Sequence, residues 1–233
     1  MSHDAEASSI EAWATAYIEA DSFAHKLEPP PAPDRFERAF TPRPDLRPGR
    51  GPAFVLAKKG LRSTGRTAFQ GVKRRAELLH TFLHHELQAA ELMAWALVAF
   101  PDAPEEARRG LVRIHGDEVR HMRMYVAALR ELGVAPGDLP VRDWFWERVP
   151  RVTSIDAFFA TLGIGFEGAN LDHAVRFEKR LRDAGDERAA RVQAVVGREE
   201  IEHVRFALRW LRETSPRLSL GATLFGGLRG ELA

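Results

Sequence analysis

The chain has 233 residues, 45% hydrophobic and 29% charged, with a formal net charge of +1 and no cysteine. That length suits one sizeable core, and the lack of cysteine excludes disulfides, cysteine-ligated zinc and iron–sulfur or rubredoxin-type centres. No apolar run approaches the roughly 20 residues of a membrane span, so the expectation is a cytoplasmic protein with no membrane partner.

The first residues, MSHDAEASSIEAW, lack a basic start followed by an apolar stretch, and no secretory signal is expected. Residues 9–27 read as one amphipathic helix capped by Ser9, with Ile10, Trp13, Tyr17 and Ile18 near helical spacing. PPPAP at 29–33, then Pro42, Pro44, Pro48 and Pro52, rule out a continuous helix or a central strand. This stretch is expected to be an extended arm that wraps or tethers the rest. Between Arg43 and Arg75 lie ten lysines and arginines and a single acid, Asp45. Two readings of that run stand: an arm whose arginines pair with acidic bundle surface, or a surface for an anionic partner such as RNA.

Four long helical segments follow, and the expected fold is all-α, a four-helix bundle with one long crossover. The first runs from about 71 to 100, with a stripe of Leu79, Phe82, Leu83, Ala90, Met93 and Leu97. Asp102 and Glu105 are expected to form a capping box, with Pro104 in the first turn. The second helix ends at Gly133, and a connection with Pro136, Pro140 and Pro150 leads to a third helix capped by Ser154 and ending near 183–185. The fourth spans about 187–213. The implied organisation is an N-terminal helix and basic arm over 1–70, a bundle over 71–215 and a Gly-rich tail over 216–233.

The chemistry lies in a duplicated pattern. Glu86 is followed by Glu118-x-x-His121, and Glu167 by Glu200-x-x-His203, at offsets of 81, 82 and 82 residues. A lone Glu from each of two helices, with Glu-x-x-His from each of two others, is the ligand set of a dinuclear metal site in a four-helix bundle. Helical spacing puts each Glu in its helix's apolar stripe, where a lone carboxylate costs several kcal/mol unless paired, protonated or metal-bound. Glu86 and Glu118 are equally far, about 24 Å at the helical rise, from the turn near Asp102. Glu77 and Glu91 lie round the helix from Glu86 and are expected to face solvent. Four carboxylates balance two divalent ions, and carboxylate with imidazole suits iron, manganese or zinc. Two Fe ions are expected, with Mn/Fe, Mn or Zn as alternatives.

Around this set, His84, His85 and His115 are possible extra ligands or proton donors and more plainly polar surface or core. Tyr125, two turns beyond Glu118, is a candidate proton or electron donor, and otherwise a packed core residue. Gly163, Gly165 and Gly168 about Glu167 suggest close helix approach or a cavity. Trp144, Phe145 and Trp146 on the crossover are expected to cover the bundle rather than to stack on a ligand.

At these residues the chain resembles the ferritin-like superfamily of di-iron carboxylate proteins. DEVRH at 117–121 matches the Asp-Glu-x-Arg-His motif of its oxygen-activating members, in which the Asp supports a metal-ligating His. The resemblance gives Asp117 that role. REEIEH at 198–203 departs from the motif, with Glu199 in place of the Asp and Glu202 where Arg is expected. HHELQAAELMAW (84–95), DEVRH and FEGANLD (166–172) are also similar to a bacterial ferritin-like family known as a domain of unknown function. The resemblance spans about 53–211 and implies fold and metal site but no substrate. The expected activity is a non-haem di-iron oxidoreductase that uses dioxygen and an external electron donor to hydroxylate or oxidise an organic substrate. A ferroxidase or peroxide-handling protein and a metal-stabilised, non-enzymatic scaffold are the alternatives.

Overall fold

The computed structural model describes residues 9–52, 54–57, 69 and 71–214. Among them the chain is all-helical: α1 (Ile10–Glu19), α2 (Phe23–Leu27), α3 (Gly71–Ala99), α4 (Glu105–Glu131), α5 (Ile155–Phe158), α6 (Glu167–Asp183) and α7 (Glu187–Thr214). A 3₁₀ turn, Val149–Arg151, precedes α5, and a π-helical stretch, Phe159–Phe166, joins α5 to α6. The only β pairing among the described residues is a parallel bridge between Leu56 and Val141. No helix among them is long and apolar enough to cross a membrane.

Local chemistry fixes most helix ends. Ser9 accepts from Ala12 N at 3.2 Å and Ser154 from Ala157 N at 3.2 Å, as expected of N-caps. Gly133, at φ 72°, ends α4 while Val134 N reaches back to Leu129 O, a left-handed C-terminal closure that strains any residue with a Cβ. Two expectations fail. Residues 9–27 form two helices rather than one, because Ser22 caps a new start by accepting from His25 N. The Asp102/Glu105 capping box does not form. Pro104 itself is the residue before α4, without a side-chain cap, and Glu105 pairs with Arg109 at 2.7 Å instead.

The long helices pair as hairpins. α3 packs on α4 across the turn at 100–104, α6 packs on α7, and α4 meets α7. α1 lies on α3, and its Ile10, Trp13, Tyr17 and Ile18 belong to the same core as Leu79, Leu83, Met93 and Trp95. The proline-rich arm is stitched to this body through its free carbonyls. Pro30 O accepts from Trp13 Nε1 (2.9 Å), Pro44 O from Trp95 Nε1 (3.2 Å), and Arg43 N donates to Val98 O (2.9 Å). Gly49 N donates to Ile18 O, and a Cβ at Gly49 would lie 2.3 Å from Glu19 O, so only glycine lets the arm approach α1 this closely.

The arm also corrects the solvent-facing assignment of Glu91 and Glu77. Glu91 is fully buried and binds Arg50 (2.5 and 2.7 Å), Lys26 (3.0 Å) and Trp146 Nε1 (2.8 Å). Burial favours its acid form, but Lys26 and Arg50 outweigh it and hold the carboxyl below its ordinary range. Glu77 is buried as well, with Arg74 at 2.8 Å. The partners of Glu91 sit in distant chain segments, which helical periodicity cannot register, whereas Arg74 is one turn from Glu77 on α3 itself. Within the basic run, Arg43 lies 3.6 Å from Glu19, Arg50 also reaches Asp143 at 3.1 Å, and Arg75 meets Asp186 at 3.0 Å. Lys58, Lys59, Arg62 and Arg66, with the tail 216–233, lie outside the described residues.

Removing one member of a buried ion cluster strands the others. Glu91→Ala is expected to destabilise the fold by about 3–5 kcal/mol in urea unfolding, against less than about 1 kcal/mol for Glu105→Ala at an exposed pair.

Candidate metal centre

The six residues of the duplicated pattern converge in the interior. Glu86 comes from α3, Glu118 and His121 from α4, Glu167 from the start of α6, and Glu200 and His203 from α7; none is more than 6% exposed. They form two groups in which one ligand atom from each member lies within 4.8 Å of the others: Glu86, Glu118, His121 and Glu200, and then Glu118, Glu167 and His203. Glu118 is common to both. Two clusters joined by one carboxylate could hold two ions with Glu118 between them.

The donor set fits a metal pair better than it fits a hydrogen-bonded core. Both oxygens of Glu118 and of Glu167, Oε2 of Glu200 and Nδ1 of His203 are buried without a hydrogen-bond partner. Buried polar atoms are normally paired. His203 Nδ1 and Glu118 Oε1 are 3.2 Å apart but make no aligned hydrogen bond.

Electrostatics gives the same answer. Burial, reinforced by the charge of Glu118, pushes Glu86 up to about 8. Burial pushes Glu167 up to about 8 as well, with Glu118 and Glu86 adding and His203 opposing. Glu200 is raised for the same reasons. Glu118 goes the other way. Burial favours its acid form, but the nearby positive charges of His121 and His203 keep it ionised. Burial disfavours both imidazolium ions, yet the surrounding carboxylates raise His121 to about 12 and His203 to about 11. Without metal the cluster thus holds protons where cations would sit.

A second layer supports the imidazoles reciprocally. Asp117, beside Glu118 on α4, meets His203 Nε2 of α7 at 3.3 Å, while Glu199, beside Glu200 on α7, meets His121 Nε2 of α4 at 2.7 Å. Arg120 ties the two acids together, at 2.8 Å from Asp117 and 2.5 Å from Glu199. Such outer partners fix the ring orientation and leave Nδ1 to face the cluster. The sequence reading gave Arg120 no role, although it stands inside DEVRH.

The π-helical stretch sets the register of Glu167, whose N–H bonds to Leu162 O, five residues back. Gly163 in that stretch lies against α7, where a Cβ would come within 2.5 Å of Ala207 Cβ. Beside the cluster lies a cavity of about 300 Å³ lined by all four carboxylates. Tyr125 is on its wall, its hydroxyl accepting from Gln193 Nε2 at 2.5 Å, and burial raises its pKa. Trp144 and Phe145 also line the cavity, so they do more than cover the bundle, whereas Trp146 is tied to Glu91. Of the three extra histidines, His85 faces the cavity. His84 Nε2 is held by Asp143 at 2.9 Å, and His115 is buried edge-on between Trp13 and Tyr17. Gln193 and Phe166 were not singled out in the sequence. Gln193 is a polar residue two turns before Glu200 on its apolar face, and that was the available signal.

The fold and site define an all-helical protein with a buried carboxylate–imidazole cluster able to hold metal. The chain belongs to the family described as "Protein of unknown function (DUF455)", whose model matches residues 6–223. No curated protein and no solved structure matches it.

Glu118→Ala and Glu200→Ala are expected to lose most bound metal by elemental analysis, whereas Glu202→Ala, at an exposed pair, should keep it. The pH dependence has a definite sign. Glu86 and Glu167, raised from 4.5 to about 8, and His121 and His203, raised from 6.5 to about 12 and about 11, stabilise the metal-free fold below their unfolded values and lose that contribution as pH rises. Buried His80, His85 and His115, all lowered, offset this below about pH 6.5, so the melting temperature of metal-free protein should fall from about pH 7 to about pH 9, while the stabilisation by added metal should grow over the same range as bound protons leave.

Proposed function

We propose that α3, α4, the α5–α6 run and α7 form a ferritin-like four-helix bundle holding two iron ions, and that the protein is an oxidoreductase that uses dioxygen to oxidise an organic substrate. The observation that carries this reading is the pair of ligand groups sharing Glu118, with orphaned buried oxygens, at the edge of a cavity. Glu86, Glu118, His121 and Glu200 would hold one ion and Glu118, Glu167 and His203 the other, with Glu118 common to both groups. When bound, an iron pair supplies the electrons and open coordination positions that dioxygen reduction requires. Manganese, mixed manganese–iron and zinc are the alternatives that the same donors accept.

The chain's own residues do the rest. Asp117 and Glu199 hold Nε2 of His203 and His121, so that each Nδ1 stays aimed inward. Tyr125 remains a phenol at neutral pH because burial and the charges of Glu86 and Glu200 oppose its ionisation, which keeps a proton at Oη on the cavity wall. We assign it the role of proton or hydrogen-atom donor. The apolar walls exclude bulk water from the reacting space. Electrons come from an external donor, and the proposed location is the cytoplasm.

The arm's cations argue for a structural role over RNA binding, since Arg50, Arg74 and Arg75 each engage a carboxylate. The test is Mössbauer spectroscopy with elemental analysis on anaerobically iron-loaded protein, before and after oxygen. Two high-spin ferrous ions per chain that convert together to a coupled ferric pair are expected. Iron that stays ferrous in air contradicts the reading. Rapid oxidation of many ferrous ions per chain without organic product replaces it with iron storage or peroxide handling.

A further inference from the structure

The lining of the cavity narrows what can bind there. Its walls are largely aromatic. Phe145 and Phe166 are stacked, with centroids 5.1 Å apart and planes 22° apart, and Trp144 packs on Phe166 at 4.7 Å. Phe177 packs on Phe82 at 5.3 Å, and Phe82 in turn on Tyr125 at 5.9 Å; His85 lies between the two groups, 4.9 Å from Phe145 and 6.5 Å from Phe82. Aromatic walls favour ring-bearing ligands through stacked and edge contacts.

Charge narrows the choice further. No lysine or arginine among the described residues lines the cavity; its only carboxylates are the four of the metal cluster. Two divalent ions would balance those four charges and leave no excess positive charge for an anion. The remaining polar groups are the Tyr125 hydroxyl, the amides of Asn170 and Gln193, and the imidazoles of His85 and His173. His85 stacks on Phe145 at 4.9 Å. Asn170, half-buried on the wall, carries an amide free to donate and accept.

Size sets the scale. An apolar cavity of about 150 Å³ holds one benzene molecule. About 300 Å³, less the space taken by ions and their ligands, therefore suits one or two rings.

We infer that this cavity takes an uncharged aromatic molecule of one or two rings, held against the rings of Phe145, Phe166, Phe82 and Phe177 and oriented by His85 and Asn170. The inference rests on the proposed oxidative site for the fate of that molecule, but not for its binding. A carboxylated or phosphorylated analogue is rejected because no lysine or arginine lines the wall and the four carboxylates already balance the two ions. Long-chain acids and nucleotides are excluded on the same ground.

The test is titration calorimetry of iron-loaded protein, kept anaerobic, with phenol, indole, cyclohexanol and indole-3-carboxylate. Indole and phenol should bind. Cyclohexanol should bind more weakly than phenol, and indole-3-carboxylate at least about tenfold more weakly than indole. Asn170→Arg places a cation on the wall and should reverse the preference between indole and its carboxylate. Ala89→Phe, one turn from Glu86, should abolish indole binding. Ala169→Trp, at an exposed wall position, tests the same occupancy should Ala89→Phe fail to fold. Elemental analysis of the same samples reads the metal proposal separately, because rings can bind a chain without metal and fail to bind one holding two ions. Equal affinity for indole and its carboxylate, an unchanged preference in Asn170→Arg, or no binding of either neutral ring by protein with two ions would overturn the inference.

Discussion

Four glutamates and two histidines, none more than 6% exposed, share one apolar interior, and the rest of the structure is arranged around the cost of putting them there. An unpaired buried carboxylate is unfavourable by several kcal/mol, and four in mutual contact repel one another besides. The chain does not satisfy them with arginine or lysine. It leaves oxygens of Glu118, Glu167 and Glu200 without partners and turns the histidine Nδ1 atoms toward them. In the metal-free state protons fill the deficit, which is why Glu86 and Glu167 are raised while both histidines stay charged. Divalent cations would fill it more completely, and the reciprocal props Asp117 and Glu199, tied by Arg120, would hold the rings for them.

The buried charge at Glu91 is solved in the opposite way. There the cations come from the chain itself: Lys26 from α2 and Arg50 from the arm. The same cluster reaches the crossover through Asp143 and Trp146. Gln88, fully buried on α3, completes the attachment by accepting from Phe145 N at 3.0 Å and donating to Arg142 O at 3.3 Å. The arm, α3 and the crossover are thereby fastened together beside the cavity that Trp144 and Phe145 line. A remote proline-rich segment thus contributes to the shape of the candidate site.

What the sequence disclosed follows the range of the interactions involved. Helix ends at Ser9, Ser154 and Gly133 were readable because capping is settled within four or five residues. The six converging side chains were readable because the pattern occurs twice, at nearly constant offset, on apolar stripes. Glu91 was misjudged because its neutralising partners lie far away in sequence, Arg50 by 41 residues; Glu77 was misjudged although Arg74 stands one turn away on its own helix. The π-helical stretch before Glu167 was invisible, since a 3.6-residue period carries no sign of an i to i−5 bond. The cavity was hinted at by the glycines, but its walls assemble Phe82, Phe145, Phe166 and Phe177 from three separate segments, which only the folded chain brings together.

The central claim is that the cluster is a dinuclear centre built about Glu118. Anomalous X-ray scattering from crystals of iron-loaded protein, collected on both sides of the iron edge, tests it most directly. The account predicts two peaks of comparable height, one among Glu86, His121 and Glu118 and the other among Glu167, His203 and Glu118. A single peak, or iron found only at surface carboxylates such as Glu202 and Glu213, would contradict it.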